Sequence, residues 1–292
     1  MKKTSKSILI LVTLILIFIT YLLHSELMIQ SFLDYSKLFL KTLFPSSFLF
    51  FLLSSLLIDY GMVDLLSYLF PKNTSRYYIL FISMISGFPS GAKYTVELFD
   101  KGFINKNEAE NILLFSHFPN PLFVLGSVCQ VIGDRNIALK ILLSIIISNL
   151  IIFIFSKRSS SSFRKDTKIP NDFSKELSDV IIRTFRTILI IYGTSLFFYL
   201  ISVIILQYFS LSTYYFVLIS GLFDITKGIV ATSVLEKVVI RSLFVLLFLS
   251  FGGISIHMQV KSILSDSIRY RYYFIGRVIG TILAFIIFLL LI

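Results

Sequence analysis

Apolar runs long enough to cross a bilayer dominate the sequence, and glycine or proline interrupts four of its apolar segments. Residues 8–23, 38–58, 105–132, 137–156, 186–208, 240–266 and 273–292 each have the length and apolarity of a membrane span, allowing for tilt. Two further apolar stretches, 77–101 and 214–239, are divided near their middles at 87–91 and 221–228. Each half is too short to cross, so each stretch is expected to enter the membrane, turn and leave on the same side. Re-entrant backbone of this kind is tolerated only when buried in protein or lining a cavity. The expected fold class is an all-α polytopic membrane protein.

Composition supports lipid as the solvent. Of 292 residues, 56% are hydrophobic and 16% aromatic, and the polar stretches left over are too short for an extramembrane enzyme domain. The net charge of +11 could suggest a nucleic-acid partner, but the basic residues flank apolar runs and so report topology. With the N-terminus cytoplasmic, nineteen of the 27 Lys and Arg fall at cytoplasmic ends, eight of them in residues 157–186. Six fall at external ends (Lys37, Lys41, Arg135, Lys140, Lys237 and Arg241), and Lys93 and Lys227 lie inside the hairpins. Seven spans and two hairpins then leave the C-terminus external in the cell membrane. The run 8–23 follows three lysines as a secretory signal would. No small-x-small site follows it, and it is expected to be an uncleaved first helix. A single cysteine, Cys129, excludes an internal disulfide framework.

The polar, basic linker 157–175 divides the chain into two halves that resemble each other. Ile85-Ser86-Gly87 precedes Lys93 at the offset by which Ile219-Ser220-Gly221 precedes Lys227. Leu114-Phe115 leads to Phe118-Pro119, and Leu247-Phe248 leads to Phe251-Gly252, 33 and 32 residues beyond the first landmarks. Each half reads as span, hairpin, interrupted span, span, entered from opposite sides. This predicts an inverted repeat with two re-entrant hairpins and two interrupted transmembrane helices, a plan shared by many secondary transporters. Four regions follow: an N-terminal helix and external connection (1–37), a first repeat (38–156), a basic cytoplasmic linker (157–185) and a second repeat (186–292).

Four breaks free backbone groups that lipid cannot satisfy. They involve Gly87, Pro89 and Gly91; Pro119 and Pro121; Gly221 and Gly228; and Gly252 and Gly253. In transporters such groups face substrate, ions or water. The bland alternative is four kinks packed against neighbouring helices. Ser90, Lys93, Asn120, Asp224, Thr226 and Ser255 sit at the breaks and are the candidate solute or ion contacts. Lys93 and Glu97 share a helical face and can pair, and Asp224 has Lys227 close by. Local pairs that only fix packing are the alternative for both. His117, His257 and Gln259 also flank the breaks. Other chemistry is disfavoured: the glycine spacing around Ser90 is wrong for a serine protease, His117, His257 and Cys129 lack metal-ligand spacing, and there is no phosphate-binding glycine loop. No enzymatic activity, metal or resident cofactor is expected.

Residues 87–93 (Gly-Phe-Pro-Ser-Gly-Ala-Lys), Glu108-Ala109, Phe115-Ser116, Pro121-Leu122-Phe123 and Gly126 resemble the first Gate motif of YlbJ-like sporulation integral membrane proteins. Residues 221–228 (Gly-Leu-Phe-Asp-Ile-Thr-Lys-Gly), 251–255 and Gln259 resemble the second. Asp224 stands where Glu would be expected, and His117 where a small or Asn-like residue would be. Gate, or nucleoside-recognition, domains are similar to the core of concentrative nucleoside transporters and to the membrane part of ferrous-iron transporters. The resemblance implies paired hairpins and unwound helices around a central midplane site. It points to a permease for a small polar, nucleoside-like solute, coupled to Na+ or H+, with a link to sporulation. The alternative is a non-transporting structural or sensing component of a sporulation complex. The bilayer and a small solute are the expected partners; a second copy or another membrane protein is left open.

Overall fold

The computed structural model describes residues 2–69, 74–157 and 172–292, and all its regular elements are helical, with no strand among the described residues. The linker expected at 157–175 lies largely outside them. The chain runs α1 (Lys2–Leu23), α2 (Ser25–Leu38), α3 (Phe44–Asp59), α4 (Met62–Leu69), α5 (Thr74–Ser86), α6 (Ser90–Asp100), α7 (Lys106–Leu113), α8 (Pro121–Phe123), α9 (Cys129–Ile132) and α10 (Arg135–Phe155). After the linker come α11 (Phe173–Tyr208), α12 (Thr213–Phe223), α13 (Ile225–Ala231), α14 (Val238–Phe251), α15 (Ile254–Ile263) and α16 (Arg271–Leu291).

Four helical stretches are long and apolar enough to cross a membrane, Arg135–Phe155, Phe173–Tyr208, Val238–Ile263 and Arg271–Leu291. Two bent pairs, Ser7–Leu23 with Ser25–Lys41 (97°) and Ser47–Asp59 with Met62–Tyr68 (65°), raise the count to as many as six. Seven were expected. The difference is 105–132, where residues 114–120 lie outside any helix and short helical pieces, α7 before them and α8 and α9 after, replace one span. Pro119 and Pro121 each remove a backbone donor, and the residue before each is pushed toward extended backbone. Residues 25–38 were expected to be a connection and instead form α2. Its buried Met28, Ser31 and Tyr35 repeat at helical spacing on one face. Between α2 and α3 the chain widens into a π-helical turn, Phe39–Leu43, just ahead of Pro45. Pro45 has no N–H to continue the ladder, and the wider turn accommodates the missing bond.

The distribution of polarity is that of a protein dissolved in lipid. Along α10, Ser144, Ser148 and Asn149 are buried while Leu143, Ile147 and Ile154 are exposed. Along α16, Arg277 is fully buried while Ile282, Leu289 and Leu290 face outward. Water as solvent would select the reverse. The centre is formed by α10, α14 and α16 packed together. Gly276 brings the α16 backbone so close to the Leu114 carbonyl that any Cβ there would collide with it. Small residues at such crossings are the usual means of close helix packing in membranes.

Arginines tie the helix ends. Arg76, at the start of α5, donates to the Phe153 carbonyl (2.9 Å), Ser156 Oγ (2.7 Å) and the Lys157 carbonyl (2.5 Å) at the end of α10. Arg241, at the start of α14, donates to the carbonyls of Val131 (2.9 Å) and Leu235 (2.6 Å), joining it to the end of α9. Each guanidinium sits at a helix C-terminus, where orphan carbonyls and the negative dipole end favour a cation.

Arg269, before α16, clamps Glu110 of α7 with bonds of 2.7 Å and 2.5 Å. Those bonds hold the Glu110 carboxyl below its ordinary value of 4.5. A depressed carboxyl contributes stability that is fully present above its unfolded value and is lost as pH falls through the folded one. Thermal unfolding of the wild type should therefore be insensitive to this pair above pH 4.5 and weaken below it. In Glu110→Gln the neutral-pH midpoint should fall and that part of the acid limb should disappear. An unchanged acid limb would show that the pair contributes nothing.

Candidate functional site

Each hairpin tip packs on the helix break of its own half. In the first half Gly87 lies against the Asn120 backbone, and a Cβ on Gly91 would strike the Ser116 carbonyl. In the second, Gly221 faces the Phe248 ring and nearly touches Gly228, so the chain doubles back between α12 and α13. Gly253 in turn lies against the carbonyls of Gly221, Leu222 and Phe223. Three short helices start from these junctions. Asn120 caps α8 through Oδ1, accepting from Leu122 N (2.8 Å) and Phe123 N (3.4 Å). Asp224 caps α13, its Oδ1 accepting from Lys227 N at 3.0 Å. Gly252, with φ of 83°, ends α14 in backbone that side-chained residues rarely adopt, and α15 follows after Gly253.

The first residues of these helices line a cavity of about 330 Å3. Its polar wall carries Asn120, Asp224, Thr226, Ser255 and Gln259; Phe88, Leu122, Phe123 and Ile191 contribute apolar wall. Among the described residues, Asp224 is the single charged side chain on the lining. It is buried, and its second oxygen accepts from Ser255 Oγ at 3.3 Å. Gln259, fully buried, donates to Ser195 Oγ at 2.6 Å, while its Oε1 has no hydrogen-bond partner.

Four of the six sequence-predicted contacts, Asn120, Asp224, Thr226 and Ser255, therefore meet on one cavity. The other two lie off it. Ser90 is fully buried behind Ser86, whose Oγ lies 2.6 Å from its own, and it bonds the Gly87 carbonyl. The N-cap of α6 is Pro89, one residue earlier, whose ring has no oxygen to accept from the first-turn N–H groups. Lys93 lies one helical turn further along α6, in a second cavity of about 340 Å3 that includes Ser55, Glu97, Lys101, Arg183, Arg186 and Ser262. There Lys93 Nζ donates to Ser55 Oγ (2.6 Å) and Glu97 Oε2 (3.3 Å), the pair expected from their spacing. It is not placed to neutralise charge in the central cavity. Nor does Asp224 pair with Lys227 among the described residues. The Lys227 ammonium lies over the Tyr199 ring at 5.0 Å, and only its backbone N–H reaches the carboxylate.

The freed carbonyls behind the cavity find partners that sequence reasoning missed. Arg277 donates to the carbonyls of Leu114 (3.1 Å) and Ser250 (3.3 Å) and to Asn149 Oδ1 (3.0 Å). Asn149 donates to the His117 carbonyl at 2.8 Å. The His117 ring stacks on Phe88 (4.8 Å between centroids); its Nε2 lies 3.2 Å from the Leu249 carbonyl and its Nδ1 2.7 Å from Tyr273 Oη. These partners assign a neutral ring with the proton on Nε2 and Tyr273 donating to Nδ1.

The helices and the cavity define a multi-pass helical membrane protein whose broken helices enclose a largely apolar chamber with a polar wall. No family model and no solved structure matches the chain. It is similar to the Sporulation integral membrane protein YlbJ of Bacillus subtilis (strain 168), at 29% identity over 86% of this chain and 74% of that protein. That similarity supports a YlbJ-like family, as the motifs at the breaks implied.

Proposed function

We propose that the central cavity binds a small polar solute without negative charge, and that the chain is a secondary transporter for it. The carrying observation is Asp224, a buried carboxylate on the cavity wall whose partners are neutral donors, Lys227 N–H and Ser255 Oγ. An unpaired buried carboxylate is costly unless a cation, a proton or a ligand donor offsets it. With no basic side chain on the lining among the described residues, an anionic solute is repelled and a hydroxyl-rich or cationic one is favoured. Apolar faces from Phe88 and Phe123 beside hydrogen-bonding Asn120, Ser255 and Gln259 suit a solute with one flat side, as a nucleoside has. Na+ or H+ at Asp224 is the coupling ion in this reading. The pairing of each hairpin with the break of its own half supports an inverted repeat around the cavity. A sporulation role is proposed from the relative's name.

A second reading, a non-transporting structural or sensing component of a sporulation complex, draws on Arg277, His117 and Asn149, which already satisfy the break carbonyls from within. Uptake into proteoliposomes across a panel of nucleosides and small polyols, under a Na+ or pH gradient, separates the two. For a transported solute, Asp224→Asn should cut uptake about tenfold or more, since it keeps the shape and removes the charge. Membrane abundance should stay near wild type. Undiminished uptake by a stably expressed Asp224→Asn protein would sink the carboxylate's role. A panel with neither uptake nor binding favours the second reading.

A further inference from the structure

The two cavities lie along the same three helices. On α3, Ser47 faces the central cavity and Ser55 the second; on α11, Ile191 and Ser195 face the central one and Arg183, Arg186, Thr187 and Ile190 the second. On α15 the change comes between Gln259 and Ser262, three residues and therefore about 4.5 Å of helix apart. Gln259, the last α15 residue on the central lining before that change, donates through Nε2 to Ser195 Oγ at 2.6 Å, and this bond between two buried side chains ties α15 to α11, two helices that border both cavities.

From this stacking we infer that the second cavity is a vestibule to the central one, and that the Gln259–Ser195 bond latches α15 to α11 where the two cavities meet. The inference rests on reading the central cavity as a solute site, and it names the side from which that site is reached. The latch is weakly made. Gln259 Oε1 has no partner, so the closed state leaves a buried acceptor unsatisfied, and opening loses one bond where water or solute can supply two. The vestibule is lined by charged side chains with a basic excess, Lys93, Lys101, Arg183 and Arg186 against Glu97 and Asp100. Part of that excess is offset from beside it: Lys101 and Arg183 both pair with Asp59 across α6, α11 and the end of α3, and Arg183 also reaches Glu176 at 3.0 Å.

The test reads accessibility and needs no solute, so its failure is separate from failure of the binding assay. In a Cys129→Ala background, single cysteines are placed at Ser262 in the vestibule and Thr226 in the central cavity. Oriented membrane vesicles are treated with an impermeant methanethiosulfonate from the face bearing Arg183. Ser262→Cys should react readily and Thr226→Cys about tenfold or more slowly; adding Gln259→Ala should bring Thr226→Cys to within about twofold of Ser262→Cys. Ser195→Ala removes the same bond from the other side and should act alike, which covers poor expression of either variant. An inert Ser262→Cys, equal rates with the latch intact, or a Thr226→Cys rate unmoved by both latch variants would overturn the inference.

Discussion

Replacing Arg277 by methionine should destabilise the protein by about 3–5 kcal/mol, because three buried neutral acceptors lose their donor at once. Arg277 is fully buried seven residues into α16, and no carboxylate pairs with it among the described residues. Its charge instead meets two helix ends. Leu114 follows the last turn of α7 and Ser250 lies in the last turn of α14, and the free carbonyls of both accept from the guanidinium. Without it those oxygens and Asn149 Oδ1 lose a donor in a region closed to water, at about 1–3 kcal/mol each. Arg277→Lys keeps the charge, but its compact ammonium cannot span all three acceptors, so an intermediate loss is expected. Chemical or thermal unfolding of the purified protein in detergent measures the series. A methionine variant within about 1 kcal/mol of wild type would show that this guanidinium does not lock the two breaks together.

Arg277 also shows where sequence reading stops. Charge counting treats any arginine near the start of an apolar run as a membrane-edge anchor, and Arg277 and Arg76 were both counted so. Both are buried, at 0% and 2% exposure, satisfying carbonyls of other helices. A signal existed for Arg277: Gly276 and Gly280 flank it on α16, and small residues at that spacing mark a face pressed against a neighbour. The helical class and all four breaks were legible because glycine and proline act locally on the backbone. Which break residues meet on one cavity depends on helix direction. Lys93 is close to Ser90 in sequence, yet α6 carries it one turn away into the other chamber. Gln259 was noticed beside the fourth break but not placed in the site, and Ser195 lay in an unbroken apolar helix with nothing to distinguish it from packing serines. Their bond spans 64 residues of chain, a separation local patterns cannot encode.

Alanine at Gly91 should be strongly damaging, while alanine at Gly193 should be harmless or better. Both glycines are helical, and propensity alone predicts that each gains about 0.5–1 kcal/mol from the change. Packing reverses the sign at one of them. At Gly193, in the middle of α11, a Cβ meets nothing within 4 Å, so the propensity gain should survive. At Gly91 it would collide with the Ser116 carbonyl, and the nearest contacts are that residue's own oxygen, carbon and Cβ. A flexible side chain could swing aside, but a backbone carbonyl at a helix break cannot do so without moving the break. The expected loss is therefore at or above the usual overpacking range of about 1–3 kcal/mol. Gly221→Ala tests the same logic against a ring: Phe248 must give way, it is almost fully buried, and a loss within that range follows. Thermal unfolding of the three variants should rank Gly193→Ala highest and Gly91→Ala lowest. If Gly91→Ala unfolds with the wild type, the start of α6 does not press on the break at Ser116, and the close approach of those two backbones is not what holds the first break in place.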